Sequence, residues 1–144
     1  RVLLDQTHQC AARLRAADRR CRVAVLKARG ADFTTVTRSR TLATPTDLAQ
    51  DIWETVSSLY SALPTPPGGF RLLGVRVEGL LRPDDGVQLL LDEDPRRGAS
   101  ERAADAVRRR WGAHAVAPAS LLSGDGATGA PPGQEGRGGR GRRP

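Results

Sequence analysis

The sequence is poor in aromatic residues and cysteine, and it has no long hydrophobic run and no methionine. Aromatic residues make up 3% of the 144 residues, so a core has to be built from leucine, valine and alanine. The apolar runs are far shorter than the ~20 residues of a membrane-spanning helix, and no secretory leader is recognisable, so we expect a cytoplasmic protein without membrane contact. Because methionine is absent even from position 1, we also expect a piece of a longer protein.

Positive charge is concentrated in the first part of the chain. Residues 1–80 carry 12 basic and 7 acidic side chains, residues 81–122 carry 7 of each, and residues 123–144 carry 4 and 2. A cationic patch on a small domain favours a polyanion partner, usually a nucleic acid. A GC-rich genome that replaces lysine by arginine would give the same excess, since Lys27 is the only lysine. Charge alone does not separate the two interpretations.

The last part of the chain has a different composition. Residues 123–144 contain 8 of the 16 glycines and end in GRGGRGRRP. Such a segment cannot bury enough apolar area to offset its chain entropy, so we predict a disordered tail. A solvated terminus without a specific role is the simpler interpretation, and weak electrostatic binding of nucleic acid is the alternative.

Hydrophobic periodicity predicts an α+β fold with the order α-β-β-α-β and a last helix. Apolar spacing predicts helices over residues 2–17 and 99–111, strands over 22–29, 33–42 and 70–80, and a short extended segment over 87–91. Between them, Thr44 and Pro45 suit the start of a second helix that buries Leu48, Ile52, Val56, Leu59 and Leu63. The last helix is expected to turn Ala103, Ala106 and Val107 inward. We predict two layers, with two helices on one face of an antiparallel or mixed sheet, plus the C-terminal helix and the disordered tail.

No catalytic constellation is recognisable. His8 and His114 have no nucleophile or carboxylate at a known spacing, and Cys10 and Cys21 are too few for a disulfide scaffold or a four-ligand zinc site. We interpret them as surface histidines and plain thiols, and we interpret the acids at positions 84, 85 and 92–94 as solvated. Neither a P-loop nor a GxGxxG motif is present. We therefore predict a binding module that has no catalytic residues, cofactor or metal of its own.

One group of side chains suits phosphate binding. Residues 37–41 place two arginines and three hydroxyls in one strand, and a second strand adds two arginines beside a glycine at which a backbone can approach closely. Guanidinium and hydroxyl groups donate to phosphate oxygens. A solvent-facing strand with threonine for β-propensity and arginine for solubility would look the same. The candidate DNA-binding residues are Thr37, Arg38, Ser39, Arg40, Thr41, Arg71, Gly74 and Arg76.

Three separate segments resemble one family in the correct order. VAVLKARGADFTTVTRSRTLATPTD (residues 23–47) resembles the K-x-R-x-x-[DN]-F-x-x-x-T-R-S-x-T-L segment of the little-finger domain of Y-family DNA polymerases, in particular their bacterial DNA polymerase IV branch. RLLGVRVEGL (residues 71–80) resembles the R-x-L-G-V-x-[VL]-x-x-L strand that follows. ERAADAVRRRWGAHAVAPASLL (residues 101–122) is similar to the closing helix and its A-S-L-L ending, with Trp111 in place of Phe or Tyr.

The resemblance implies a little-finger-like DNA-binding domain over residues 1–92, a helical extension over 93–122 and the tail over 123–144. Such a domain binds the backbone phosphates of primer–template duplex DNA along the major groove. The resemblance implies that it is part of a translesion DNA polymerase that acts in DNA repair. Leu72 departs from the pattern, because some relatives carry a second arginine there. The family's catalysis, with magnesium, lies in an N-terminal part, so this chain should not polymerise DNA by itself. A first strand of the family would be absent, and we expect an exposed sheet edge and poor folding.

A further segment, QLLLD (residues 88–92), resembles the QLxLF peptide with which bacterial polymerases bind the sliding clamp. Asp92 stands where the anchoring Phe should be, so we favour a structural strand over a weak clamp site. A clamp-interaction module therefore remains one alternative, and a stand-alone RNA-binding α+β domain is another. RNA-binding sheets stack bases on strand aromatics, of which this chain has only Phe33 and Phe70. The candidate clamp-binding residues are Gln88, Leu89 and Leu91. We also expect the protein to be a monomer.

Overall fold

The structure is a computed structural model that describes residues 1–85, 96–117 and 119. It confirms the α+β fold and the order of the elements within those residues. The six elements are α1 (Val2–Ala16), β1 (Cys21–Gly30), β2 (Thr35–Thr46), α2 (Ala49–Ser61), β3 (Phe70–Glu78) and α3 (Ala99–Trp111). The extended segment predicted over 87–91, the candidate clamp residues and the tail lie outside the described residues. Within the described part, no helix combines the length and the apolar character needed to cross a membrane.

The three strands form an antiparallel sheet in the order β2-β1-β3. Side chains alternate between the two faces of a strand, and β1 turns Ala24, Leu26 and Ala28 to the side on which α1 and α2 pack. β3 turns Leu73, Val75 and Val77 to the same side and leaves Leu72, Arg76 and Glu78 exposed. The strand predicted over residues 70–80 is therefore confirmed, and its side chains alternate between the two faces.

α1 is amphipathic and buries Leu3, Thr7, Ala11 and Leu14 at helical spacing. The buried Thr7 hydroxyl donates to the Leu3 carbonyl oxygen at 2.7 Å, so this polar atom has a partner inside the core. The helix predicted over residues 2–17 ends at Ala16, and Ala17 beyond it is exposed.

α2 starts later than predicted. β2 continues through Thr44 and Pro45 to Thr46, so the expected cap by Thr44 is wrong. The Thr46 hydroxyl instead accepts the Leu48 N–H at 3.1 Å and donates to Asp51 Oδ2 at 2.7 Å. The hydroxyl of the last strand residue thus bonds to the first turn of the helix.

The apolar face of α2 forms the centre of the core. Ile52 and Val56 are completely buried and Leu59 nearly so, as predicted. Leu63 is only half-buried beside the core and Leu48 is also half-buried. α2 packs on β1 and β2, and α1 packs on β3 and on α2. Burial of this face supplies most of the force that holds the two layers together.

The outer edge of β3 is bonded to a side chain of α1. Gln6 Nε2 donates to the Leu73 carbonyl oxygen at 3.2 Å, and the Val75 N–H donates to Gln6 Oε1 at 2.9 Å. One amide side chain therefore satisfies a donor and an acceptor of the edge strand.

The inward face of α3 differs from the prediction. Ala103, Ala106 and Val107 are exposed, and Asp105 is the buried residue of the helix. Asp105 Oδ2 accepts from Arg15 Nε at 2.6 Å, and Glu101 Oε2 accepts from Arg15 Nη1 at 2.5 Å. The prediction failed because α3 docks on an arginine of α1 and not on an apolar surface.

Candidate nucleic-acid interface

The sheet has one face that the helices do not cover, and we call it the open face. Residues that are directly paired across antiparallel strands share a face. The register joins Thr37 to Lys27 and Lys27 to Gly74, and it joins Ser39 to Val25 and Val25 to Arg76. The open face comprises Thr35, Thr37, Ser39 and Thr41 of β2, Val23, Val25, Lys27 and Arg29 of β1, and Leu72, Gly74, Arg76 and Glu78 of β3.

Hydroxyls and cations dominate the open face. The four hydroxyl residues of β2 are all exposed and form a column along an edge strand. Lys27 and Arg29 of β1 and Arg76 of β3 are exposed as well. The one acid, Glu78, pairs with Arg76 at 2.5 Å, but both side chains are largely exposed, so solvent and salt screen this ion pair. The face therefore offers several donors that suit the oxygens of a phosphate backbone.

Arg38 and Arg40 lie on the other side of the sheet, although the sequence prediction grouped them with Thr37, Ser39 and Thr41. Their partners in β1 are Leu26 and Ala24, which are buried under the helices. Because β2 is an edge strand, both arginines remain exposed beside α2. Arg40 Nη1 donates to Ser58 Oγ of α2 at 3.0 Å. The five consecutive residues are thus divided between two faces by the strand alternation.

The β1–β2 turn carries an exposed aromatic ring between two arginines. Phe33 is 60% exposed and has a left-handed φ of 67°. The guanidinium of Arg71 lies 4.2 Å from the ring centroid, and that of Arg29 lies 5.8 Å from it. Cation–π contacts of this kind hold flexible arginine side chains in place. Arg71, a predicted site residue, therefore lies at the turn end of the sheet and not on the open face.

The turn itself is fixed by Asp32, whose carboxylate accepts from the Thr34 N–H at 3.0 Å and from the Thr34 hydroxyl at 2.9 Å. These hydrogen bonds lower the pKa of Asp32. An aspartate that accepts hydrogen bonds from the residue two positions ahead is a common turn device. Lys27, Arg29 and Phe33 were not among the predicted site residues. The two-residue period of β1 would have placed Lys27 and Arg29 on one face, whereas the stacking on Phe33 depends on tertiary contacts.

Gly74 lies in the middle of the open face with free space above it. A Cβ atom built on Gly74 would meet no heavy atom within 4 Å. The fold does not need a glycine here, since neither a positive φ nor a close neighbour requires one. The free space fits the predicted approach of another backbone.

The thiols and histidines do not form a reactive group. Burial raises the pKa of Cys21 to about 12 and also raises that of Cys10, which disfavours the thiolate of a nucleophile or metal ligand. Burial lowers the pKa of the half-buried His8. Among residues 1–85, 96–117 and 119, no three histidine, cysteine, aspartate or glutamate side chains lie together in a group that could hold a metal ion.

Comparison with known protein families identifies the family to which this chain belongs. Residues 1–91 match the model of the impB/mucB/samB family C-terminal domain. The chain belongs to this family. The domain is the C-terminal domain of Y-family DNA polymerases, so the resemblance in the sequence is confirmed. The matched residues include the whole open face and end before α3.

Several curated relatives are similar to this Y-family domain. DNA polymerase IV of Caulobacter vibrioides is 39% identical over 104 residues, which cover 72% of this chain and 26% of the relative. DNA polymerase IV of Streptomyces coelicolor is 47% identical over 72 residues, covering 50% of this chain and 15% of the relative. DNA polymerase IV of Desulfatibacillum aliphaticivorans is 32% identical over 125 residues, covering 84% and 32%. The chain thus spans about a third or less of the length of these relatives.

Proposed function

We propose that the open face binds the sugar–phosphate backbone of primer–template DNA without reading its sequence, as part of a translesion DNA polymerase that acts in DNA repair. One observation carries the proposal: Lys27, Arg76 and the hydroxyl column of β2 share a single exposed face in a Y-family C-terminal domain. Family membership also favours this function over that of a stand-alone RNA-binding domain.

The chemistry of the open face favours backbone contacts over base contacts. Short hydroxyl side chains on a sheet reach phosphate oxygens at the surface but do not extend deeply into a groove. Gly74 lets a phosphate come close to the sheet between Lys27 and Arg76, because no side chain stands there. A polymerase that copies damaged templates benefits from such a grip, since phosphates are the same at every base.

The remaining predicted residues extend this surface around its borders. Arg71 lies beside Phe33 at the turn end of the sheet, and Arg38 and Arg40 project from the helix side of β2. We place them at phosphates next to those on the open face. Nucleotidyl transfer would belong to the rest of the polymerase, where magnesium is held, and this chain would supply binding only.

The test is binding of the chain to a primer–template duplex over a range of salt concentrations. Each phosphate contact contributes about 0.9 to the slope of log K against log salt. The double variant Lys27→Ala/Arg76→Ala should therefore reduce the slope by about 2 and weaken binding to all duplex sequences equally. Unchanged binding by this variant would refute the proposal.

The matched control is Arg38→Ala/Arg40→Ala, which removes the same charge from the helix side of the sheet. A smaller loss than in Lys27→Ala/Arg76→Ala supports the open face as the main contact. Equal losses would mean that only net charge matters, and a greater loss would move the DNA to the helix side of β2.

Gly74→Ala gives an independent test that changes no charge. The added methyl group meets free space in the fold, so folding stability should be unchanged or slightly higher. If a phosphate approaches the sheet here, the same methyl group should weaken DNA binding. Full binding by Gly74→Ala would place the phosphate elsewhere on the face.

A further inference from the structure

A second basic site lies at the far end of the domain from Phe33. A cavity of about 390 Å³ opens where the end of α1, the segment after β3 and the side of α3 meet. We call it the arginine pocket, because its lining includes Arg15, Arg19, Arg20, Arg82, Arg102 and Arg109.

The arginine pocket is separate from the proposed DNA surface. None of its lining residues belongs to the open face. The pocket adjoins the start of β1 and Phe33 follows its end, so the ten residues of β1 keep the two sites roughly 30 Å apart. The pocket is also outside the activity proposed above, which needs only the sheet.

The walls of the pocket are held by the fold. Arg20 and Leu81 exchange two backbone hydrogen bonds, of 3.0 and 2.8 Å, which fix the segment after β3 against the start of β1. The Arg82 N–H then donates to Asp85 Oδ2 at 2.7 Å and fixes the next turn. On the opposite wall, α3 is attached through Arg15 to Glu101 and Asp105. Three segments that are distant in sequence thus bring their arginines to one cavity.

The charges in the pocket do not balance. Six arginines line it together with only three acids, Asp18, Asp47 and Asp105. Asp105 is already bonded to Arg15 and Arg108, and the Arg15 side chain is 7% exposed, so this group forms the floor. Arg19, Arg82 and Arg109 lie above it, and the lining as a whole contains three more arginines than acids, so this concave site attracts anions.

We propose that the arginine pocket binds a phosphoanion with two or more linked phosphoryl groups. Guanidinium groups present forked donors that match phosphate oxygens, and convergence of several of them favours a ligand with several negative charges. The volume is at the lower end of the range of small-ligand sites, which fits a short phosphate chain. The chain can come from a free polyphosphate or from a nucleotide.

Binding at this place would also affect α3. The ligand would touch Arg102 and Arg109 of α3 and, at the same time, Arg19 and Arg82 on the other wall. A ligand that binds only the docked state stabilises that state. Phosphoanion binding should therefore slow amide hydrogen exchange in α3 more than in α2.

The experiment is a calorimetric titration of the full 144-residue chain with tripolyphosphate at moderate salt. We expect one site, and we expect Arg82→Ala/Arg109→Ala to weaken binding at least tenfold. Both substituted side chains are exposed and neither is part of the Arg15 contacts, so the variant should fold, which a thermal melt checks.

The matched control is Arg13→Ala/Arg110→Ala, which removes the same charge from α1 and α3 outside the pocket. This control should bind tripolyphosphate as the unchanged chain does. If both double variants lose affinity equally, the effect is one of net charge and the proposal is wrong. No binding by the unchanged chain would also overturn it.

Two further arms separate the ligand sources and the two proposals. Binding of a nucleoside triphosphate more tightly than tripolyphosphate would assign the site to nucleotides, and the reverse order to free polyphosphate. Lys27→Ala/Arg76→Ala should leave tripolyphosphate binding unchanged, since both residues lie outside the pocket. The DNA-binding proposal can therefore fail while the phosphoanion proposal holds, and the phosphoanion proposal can fail while the DNA-binding proposal holds.

Discussion

α2 and α3 are of equal length but are attached to the domain in opposite ways. Each has 13 residues. α2 buries Ala49, Ile52, Val56 and Leu59 against the sheet, whereas the one residue that α3 buries is Asp105. Apolar burial is non-directional and little affected by salt, but paired charges need correct geometry and opposite ionisation. Burial of apolar area thus holds α2 on the domain, whereas ion pairs hold α3.

The two helices also meet each other through one of these charges. The Glu101 carboxylate of α3 accepts the Ala49 N–H at the first turn of α2, with both oxygens 3.0 Å from the nitrogen. Arg15 Nη1 donates to the Asp47 carbonyl oxygen at 2.7 Å just before that helix. α3 therefore supplies a negative charge to the positive end of α2, where such a charge is favourable.

The largest expected effect comes from Ile52→Ala, because Ile52 is completely buried at the centre of the core. Loss of its side chain should lower the free energy of unfolding of the whole domain by about 2–5 kcal/mol. Urea denaturation measures this loss, and Ile52→Val should cost only about 1 kcal/mol. A smaller loss of unfolding free energy in Ile52→Ala than in Ile52→Val would contradict the conclusion that apolar burial holds α2 on the sheet.

The next effect is expected from Arg15→Met, which removes the common partner of Glu101 and Asp105. Breaking a buried ion pair on one side costs about 3 kcal/mol, so α3 should detach while the sheet and α2 remain folded. Faster amide hydrogen exchange confined to α3 would show it. Trp111→Ala is the control on the same helix: Trp111 is 71% exposed, so exchange should change little. Fast exchange in α2 as well would mean that the two helices are not attached independently.

The smallest effect is a pH dependence of α3 docking. Burial alone would raise the pKa of Asp105, but the hydrogen bond and charge of Arg15, together with the charge of Arg108, lower it below its ordinary value. Stability from such a carboxylate is present above its unfolded pKa of about 4 and is lost as pH falls through the folded value. Chemical shifts of α3 should therefore change below about pH 4. The change should shrink in Asp105→Asn; an equal change in that variant would refute the role of Asp105.

The sequence alone predicted the features that depend on the local periodicity of apolar residues. The bounds of α1, β1, β3 and α3 were predicted to within about two residues, because apolar spacing and the glycine- and proline-rich breaks determine them locally. The exposed and buried faces of β3 follow the two-residue alternation expected of a strand. The family was predicted as well, and the matched domain over residues 1–91 contains the first two of the three segments on which that prediction rested.

The errors came from features that depend on a partner. The inward face of α3 was assigned to alanine and valine, but Arg15, which is distant in sequence, selects the acidic side. Thr44 and Pro45 suit a helix start by composition, yet β2 continues through them to Thr46, where its pairing with Cys21 of β1 resumes after a register shift. Arg38 and Arg40 were grouped with their neighbours by chemistry, although the strand period alone already assigns them to the other face.

Gln6 has a consequence for how this protein behaves at high concentration. An edge strand with unpaired backbone groups is a template on which a second chain can add a strand and begin to aggregate. At the centre of β3, the amide of Gln6 already occupies a donor and an acceptor that such a strand would use. A strand that adds to this edge has to displace the side chain first, so a single glutamine on a helix protects the β3 edge of the sheet.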